Sequence, residues 1–377
     1  MKTTRCAQGA FSFLMLVLGV CIVMPTPSHA STSGVTFGPY VQRVKKTAMS
    51  ILLRTDSAIS VRLKYREVGA SDWTVVTDSA TTEHAFRITD LSKDKRYQYY
   101  FQDSDKNRLT STYTFATKHT VSDDQPLRIG VFGDSGVLST HQFRIGMQMQ
   151  WWSPDILLHT GDIAYEEGTL TEFANTFFTP YQPLIAQVPF YGTVGNHDYA
   201  TDAGAPYKNV FETPTKYSDV EDYYAFDYGP AHIVSLNTSI DYTEGSAQYE
   251  WLTNDLAQSD KKWKIVFFHF PVWSSGRHGS TEGLADALSP IFEEHGVQLV
   301  INGHDHAYEH NYTTNGVLYL VTGGGGAPLY TQEHENAHSY VFESIYHFLG
   351  IEITKESLSI QAIDENGYTF DTIELTQ

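Results

Sequence analysis

The 377-residue chain has two cysteines, Cys6 and Cys21, and both fall in its first 30 residues. That stretch reads as an export leader. Lys2 and Arg5 give it a positive start, Phe11 to Met24 is apolar, and Ser28-His29-Ala30 ends it like a small-residue cleavage site. Cleavage after Ala30 places the protein in a secreted or periplasmic setting with no thiol left. Disulfides are excluded even though export permits them, so the fold relies on its core. A lipid anchor on Cys21 is disfavoured, because Val20 is not the small residue such a site wants. Long apolar runs are missing elsewhere: the leader is short for a span of roughly 20 residues and nothing later is longer, so no membrane span is expected. Positive charge is also scarce. Against 44 Asp and Glu there are 25 Lys and Arg, for a net charge of −19, and losing Lys2 and Arg5 makes it more negative still. Such a surface repels nucleic acid and anionic membranes. It also repels anionic substrates at long range, so a site for them needs a local source of attraction.

What is present divides in two, and the chain left after cleavage is long enough for two domains. From 34 to 118, short runs such as AMSILLRT, ISVRLKYRE, WTVVTD, HAFRITDL, YQYYFQD and TYTFATK alternate apolar and polar residues between turn residues. They predict a small all-β sandwich. Residues 119–126 form a polar, Pro-terminated linker. From Leu127 to the C-terminus, apolar strands alternate with helices expected near 140–152, 169–178, 246–258 and 283–295, an α/β pattern closed by further strands. The aromatic tract from Tyr217 to Tyr228 reads as a surface loop or hairpin. Trp151, Trp152 and Trp273 read as core or cleft-wall residues. Gly323 to Gly326 lacks the lysine and following helix of a phosphate loop and runs into Ala327-Pro328, so a plain flexible turn is expected ahead of a close backbone approach to the cleft.

Five short blocks in the second part carry chemistry: GDSG (Gly133 to Gly136), GDIAY (Gly161 to Tyr165), GNHD (Gly195 to Asp198), VFFH (Val266 to His269) and GHDH (Gly303 to His306). Each follows or ends an apolar run that reads as a buried strand: LRIGVF, DILLHT, VPFYGTV, WKIVFF and VQLVIN. Ligands gather outside the carboxyl ends of such strands. The five ends are therefore expected to deliver Asp134, Asp162, Tyr165, Asn196, His269, His304 and His306 to one cleft. Singly each block is weak, since a Gly-Asp after a strand is usually a turn and a lone histidine usually a structural hydrogen-bonder. Together they supply ligands for two cations.

The donor types sort the metals. Carboxylates, phenolate and amide oxygens suit hard cations, and imidazoles suit zinc, iron and other borderline ions. A free phenol, with a pKa of about 10, ligates only a strongly acidic ion. Asp134, Asp162 and Tyr165 together balance three charges, which favours Fe(III) in one site. The other would share Asp162, add Asn196 and two imidazoles, and hold divalent Zn, Fe or Mn. His304 and His306, two apart, either share a metal or diverge to two.

These blocks resemble those of the purple acid phosphatases within the calcineurin-like metallophosphoesterases. Many members of that superfamily carry Asp-x-His in the first block, whereas this chain has Asp134-Ser135-Gly136, and Tyr165 of GDIAY takes the place of the missing ligand. The resemblance implies a four-layer domain over 127–377, with two mixed β-sheets flanked by helices. It implies Fe(III) on Asp134, Asp162, Tyr165 and His306, and the divalent ion on Asp162, Asn196, His269 and His304. It also implies that His197 and His278 contact phosphate or supply protons. Leu91 followed by Tyr97, Tyr99 and Tyr100 is similar to the tyrosine-bearing region of fibronectin type III domains, so the 34–118 sandwich resembles that domain as plant-type enzymes carry it. HFPVWSSGRHG (His269 to Gly279) looks closer to animal members, and His310 stands where plant forms often have arginine. His334 and His338 read as polar-loop residues without a catalytic role. The expected function is an exported, dinuclear acid phosphatase that hydrolyses small phosphate monoesters by in-line attack of a metal hydroxide. The rivals are a phosphodiesterase with the same site and, from another class, an adhesion protein with an inert metallo-domain.

Overall fold

The computed structural model describes residues 34–214 and 220–376. The expected leader and Tyr217 lie outside them. Seven strands come first: β1 (Val35–Gln42), β2 (Met49–Ile59), β3 (Val61–Glu67), β4 (Thr74–Thr77), β5 (Thr81–Ile88), β6 (Arg96–Asp103) and β7 (Tyr113–Ala116). They pair antiparallel into two sheets, β1-β2-β5 and β4-β3-β6-β7. Period-two alternation does the work: Ile51 and Leu53 of β2, Leu63 of β3, and Tyr97, Tyr99 and Phe101 of β6 share one buried cluster. Tyr97 also accepts a hydrogen bond at its hydroxyl from the Ser92 amide at 2.8 Å. The six runs that alternate all form strands. β1 was not foreseen, because Gly38-Pro39 interrupts its pattern and its register shifts between Phe37 and Tyr40. The 119–126 segment is not a free tether, since His119 and Val121 are buried.

Two mixed sheets follow. The first joins β8 (Leu127–Phe132), β9 (Ile156–His159) and β10 (Phe190–Gly192), which run parallel, to β18 (His347–Ile353), β19 (Ser357–Asp364) and β20 (Thr369–Thr376) in the order β10-β9-β8-β18-β19-β20. The second contains β11 (Tyr224–Tyr228), β12 (Ala231–Ser235), β13 (Trp263–Phe267), β14 (Leu299–Asn302), β15 (Tyr308–Asn311), β16 (Leu318–Thr322) and β17 (Ser339–Glu343), in the order β11-β12-β13-β14-β16-β15-β17. Its central strands β12, β13, β14 and β16 run parallel.

Alternation along the strands sets the layers. Ile129 and Val131 of β8 and Ile265 and Phe267 of β13 meet in one core between the sheets. Phe132 and Leu157 face outward onto Ile145 and Met149 of the helix Thr140–Trp152. Val266 and Val300 face the other way, onto the helices Ala247–Gln258 and Leu284–Glu294. The result is helix, sheet, sheet, helix, the expected four layers.

Three helices fall where expected; the fourth, expected at 169–178, runs on through a π-type turn at Phe173–Phe178 to Ile185. Trp151 is 69% exposed, because the buried positions of its helix are Gln142, Ile145, Gly146 and Met149 and residue 151 is off that stripe. The described end of the aromatic tract, Tyr224 to Tyr228, is β11 in a hairpin with β12, and Tyr224, Phe226 and Tyr228 are buried in the core rather than lying at the surface.

Candidate metal centre

The five blocks sit at the carboxyl ends of β8, β9, β10, β13 and β14. These strands belong to two sheets rather than one, so the cleft lies across the top of the sheet–sheet seam. Asp134, Asp162 and His304 have φ of 55°, 55° and 70°, in the left-handed region. A non-glycine residue there costs about 1–2 kcal/mol. Local hydrogen bonds hold the turns: Asp134 N donates to Gly161 O at 3.0 Å, and His304 N to both Asp134 carboxylate oxygens at 3.0 Å. Glycine is required where blocks touch. A Cβ on Gly195 would lie 2.1 Å from Asp162 Oδ1, and one on Gly303 2.5 Å from Asp134 Oδ2.

All seven candidate donors converge. The Tyr165 hydroxyl is 3.1 Å from His306 Nε2 and 3.4 Å from Asp134 Oδ1, and His306 Nε2 is 3.6 Å from Asp134. His269 Nε2 is 3.0 Å from Asn196 Oδ1, 3.2 Å from His304 Nδ1 and 3.4 Å from Asp162 Oδ2. Asp134, Asp162, His269 and His306 are buried. Thus Asp134, Tyr165 and His306 form one group, and Asp162, Asn196, His269 and His304 the other.

The chemistry of this set fits cations. His269 Nδ1 is bonded to Thr160 O at 2.9 Å and His306 Nδ1 to Pro328 O at 2.8 Å. A ring nitrogen facing a carbonyl carries the proton, which turns each Nε2 lone pair inward, the usual support of a metal-binding imidazole. Around His269 Nε2 gather His304 Nδ1, Asn196 Oδ1 and Asp162 Oδ2, an arrangement that a proton or a metal cation would hold together. Without metal the proton plays this part: burial opposes it, but the Asp162 and Asp134 carboxylates push His269 up to about 9. Burial and the His269 charge press His304 down to about 2, and burial presses His306 down to about 4. Burial, with the Asp162 charge, lifts Asp134 well above the usual carboxylate range. Burial and the two carboxylates also raise the Tyr165 phenol, so a strong positive charge is needed to ionise it.

The two further histidines lie at the rim. His197 donates its amide to Asp162 Oδ1 at 3.0 Å, its Nδ1 meets Glu166 O at 2.7 Å, and Nε2 lies 4.0 Å from Asp162 Oδ2. His278 is exposed, with its ring 4.3 Å from that of His304. Gly323 to Gly326 packs tightly under the site: Gly325 N donates to Gly133 O at 3.0 Å and Ala327 N to Asp134 O at 2.9 Å. It is a close backbone approach, not a flexible turn. His310 turns away to Asp371 at 2.9 Å, while His338 stacks on Trp273 at 4.0 Å.

Three residues that bind the blocks together were not singled out in the sequence. His159 links Gly161 N at 3.2 Å to Ser135 Oγ at 2.9 Å, joining the first two blocks. The buried Asp198 accepts from Ile163 N, Ala164 N and Gly195 N at 3.0 Å each, joining the second and third. Asp305 joins GHDH to the His278 loop, accepting from Ser274 Oγ at 2.5 Å, His278 N at 2.8 Å and Gly279 N at 3.2 Å. Their signal was a polar residue beside each candidate ligand, a pattern that spacing alone does not distinguish from a solvated loop.

Residues 127–308 match the calcineurin-like phosphoesterase family. The chain is 31% identical over 284 residues to purple acid phosphatase 15 of Arabidopsis thaliana, covering 64% of this chain and 53% of that one. It is 28% identical over 278 residues to purple acid phosphatase 1 of Ipomoea batatas, covering 68% and 57%. It thus spans somewhat over half the length of these relatives. A purple acid phosphatase from yellow lupin seeds shares the fold, with a TM-score of 0.79 and 18% identity over 91% of this chain and 74% of that one.

Proposed function

We propose that this chain, whose residues 127–308 belong to the calcineurin-like phosphoesterases and whose relatives include purple acid phosphatases, is an exported dinuclear metallophosphatase acting on small phosphate monoesters under acidic conditions. The family implies a two-metal site. The reading rests above all on one observation: seven donors of the right chemical types converge in one cleft, with the Nδ1 atoms of His269 and His306 tied to backbone carbonyls. Asp134, Asp162, Tyr165 and His306 would hold Fe(III). Asp162, Asn196, His269 and His304 would hold the divalent ion. Such a pair supplies Lewis acidity toward phosphoryl oxygens and lowers the pKa of water.

The chain's own residues do the rest. His197, anchored through Nδ1 at Glu166 O, offers Nε2 to a phosphoryl oxygen. His278, exposed at the mouth, protonates the departing alkoxide. In the same reading residues 1–30 are a cleaved leader, 34–118 a fibronectin type III-like sandwich, 119–126 its linker and 127–377 the catalytic domain.

The test is metal analysis with visible spectroscopy. The purified, oxidised protein should contain iron plus a divalent ion and be purple or pink from phenolate-to-iron charge transfer. Tyr165→Phe should abolish the colour while the fold, followed by circular dichroism, persists. Colourless iron-loaded wild type would sink the assignment. Chromogenic mono- and diesters then separate phosphatase from phosphodiesterase.

A further inference from the structure

Away from the metal centre, a cleft of about 860 Å³ lies between the sandwich and the two-sheet domain. Its charge is opposite to that of the molecule. Among the described residues, six cations line it, Arg43, Lys45, Lys46, Lys118, Lys261 and Lys355, against one carboxylate, Asp227. The whole chain has 25 Lys and Arg against 44 Asp and Glu. The cations come from separate places: the β1–β2 connection, the segment after β7, the loop before β13 and the β18–β19 turn. Some are engaged locally, Arg43 with Glu212 at 3.3 Å and Lys261 with Asp227 at 3.7 Å. Lys46 and Lys355 are exposed on opposite modules. The floor is apolar and buried, formed by Val44, Tyr191 and Phe226. In the wall, His119 is 9% exposed, and among the described residues its Nε2 has no hydrogen-bond partner.

The cleft is not an extension of the metal centre. Gly229-Pro230 and Lys261 precede β12 and β13, whereas the candidate ligands follow the far ends of the strands. A strand of five or six residues separates the two levels by roughly 16–20 Å.

We propose that this cleft binds a small, multiply charged organic anion with a planar or apolar body, the body on the Tyr191–Phe226 floor and the charges on the lysines of both modules. Gathering six cations raises their mutual repulsion, and an anion relieves it while bridging the modules. Binding of this kind weakens with salt.

The probe is pyrenetetrasulfonate, a planar tetra-anion that phosphatases cannot hydrolyse, titrated into the full chain by fluorescence anisotropy. One saturable site is expected, about ten-fold or more weaker in the Lys46→Glu/Lys355→Glu double variant. Those exposed lysines are outside the catalytic machinery, so turnover of an aryl phosphate should stay within about two-fold of wild type, and a thermal melt checks folding. Metal-stripped protein should bind the probe equally well. Absence of saturable binding, indifference to the charge reversals, or loss of binding with the metals would each overturn the proposal. Equal competition by inorganic sulfate would remove the requirement for an apolar body, and so overturn the ligand class.

Discussion

Asp305 stands between two candidate metal ligands, yet its carboxylate spends its hydrogen bonds on the loop that carries His278. Ser274 Oγ and the amides of His278 and Gly279 all point to it, and a Cβ on Gly276 would lie 2.5 Å from its Cγ. Glu309 clasps the same loop from the next turn of chain, accepting from Ser275 N at 2.7 Å and Ser275 Oγ at 2.8 Å. Both carboxylates are fully buried. An exposed imidazole is thus carried on a rigid base, which is what proton delivery to one oxygen needs. If His278 protonates the leaving group, His278→Ala should cost an alkyl phosphate roughly 10²–10⁴-fold in kcat/KM and an activated aryl phosphate far less. Asp305→Asn keeps the shape but weakens the clasp. It should reproduce the split between ester classes in smaller degree, with metal content unchanged. Equal losses for both esters would move His278 to phosphate binding. Metal loss without a split in Asp305→Asn would instead make Asp305 a support of its neighbouring ligands.

At the level of elements, β12 shows how a polar residue enters a sheet. His232 is buried, its Nδ1 2.8 Å from Asp227 Oδ1 and its Nε2 2.7 Å from Asp255 Oδ2. Burial works against the charged ring, but the two carboxylates prevail and its pKa is raised. A raised folded pKa gives stability that is fully present below the unfolded value of about 6.5 and fades as pH climbs through the folded one. His232→Leu leaves Asp255 buried without its partner. The loss, roughly 3–5 kcal/mol by analogy with other broken buried pairs, should therefore be larger at pH 5 than at pH 9 in denaturant melts. A loss that does not change with pH would mean that the ring is neutral throughout. The same polar pair explains why β12 was missed from the sequence. His232 and Ser235 interrupt a run of only five residues, whereas LRIGVF and WKIVFF are uninterrupted and were legible. β15 and β17 were missed for the related reason that YEHN and SYVFE are mostly polar or half-buried. The candidate ligands could be read because their types and strand-end positions are local facts. Asp198, Asp305 and His159 could not, because what distinguishes them is the block each reaches across to.

Across the whole molecule, the sandwich and the two-sheet domain share more than a tether. Phe37 stacks on Phe178 with ring centroids 4.2 Å apart, and Val44 N donates to the Tyr191 hydroxyl at 3.1 Å. Tyr40 donates to Val210 O, and Tyr99, fully buried, donates to Ala186 O at 2.7 Å. The hydrophobic cluster that contains Ile51, Leu63 and Phe101 continues through Tyr191 and Phe226 into the core between the large sheets. With packed aromatics and buried hydrogen bonds at the boundary, exposing either face costs apolar burial and exchanges those hydrogen bonds for weaker net ones to water. The two units should accordingly unfold together, in one calorimetric transition. Tyr99→Phe, which keeps the ring but removes the donor to Ala186, should cost about 1–3 kcal/mol and lower that single transition as a whole. Two resolved heat-absorption peaks, with only the smaller one shifted by Tyr99→Phe, would mean that the boundary contacts do not couple the units and that the sandwich stands on its own core.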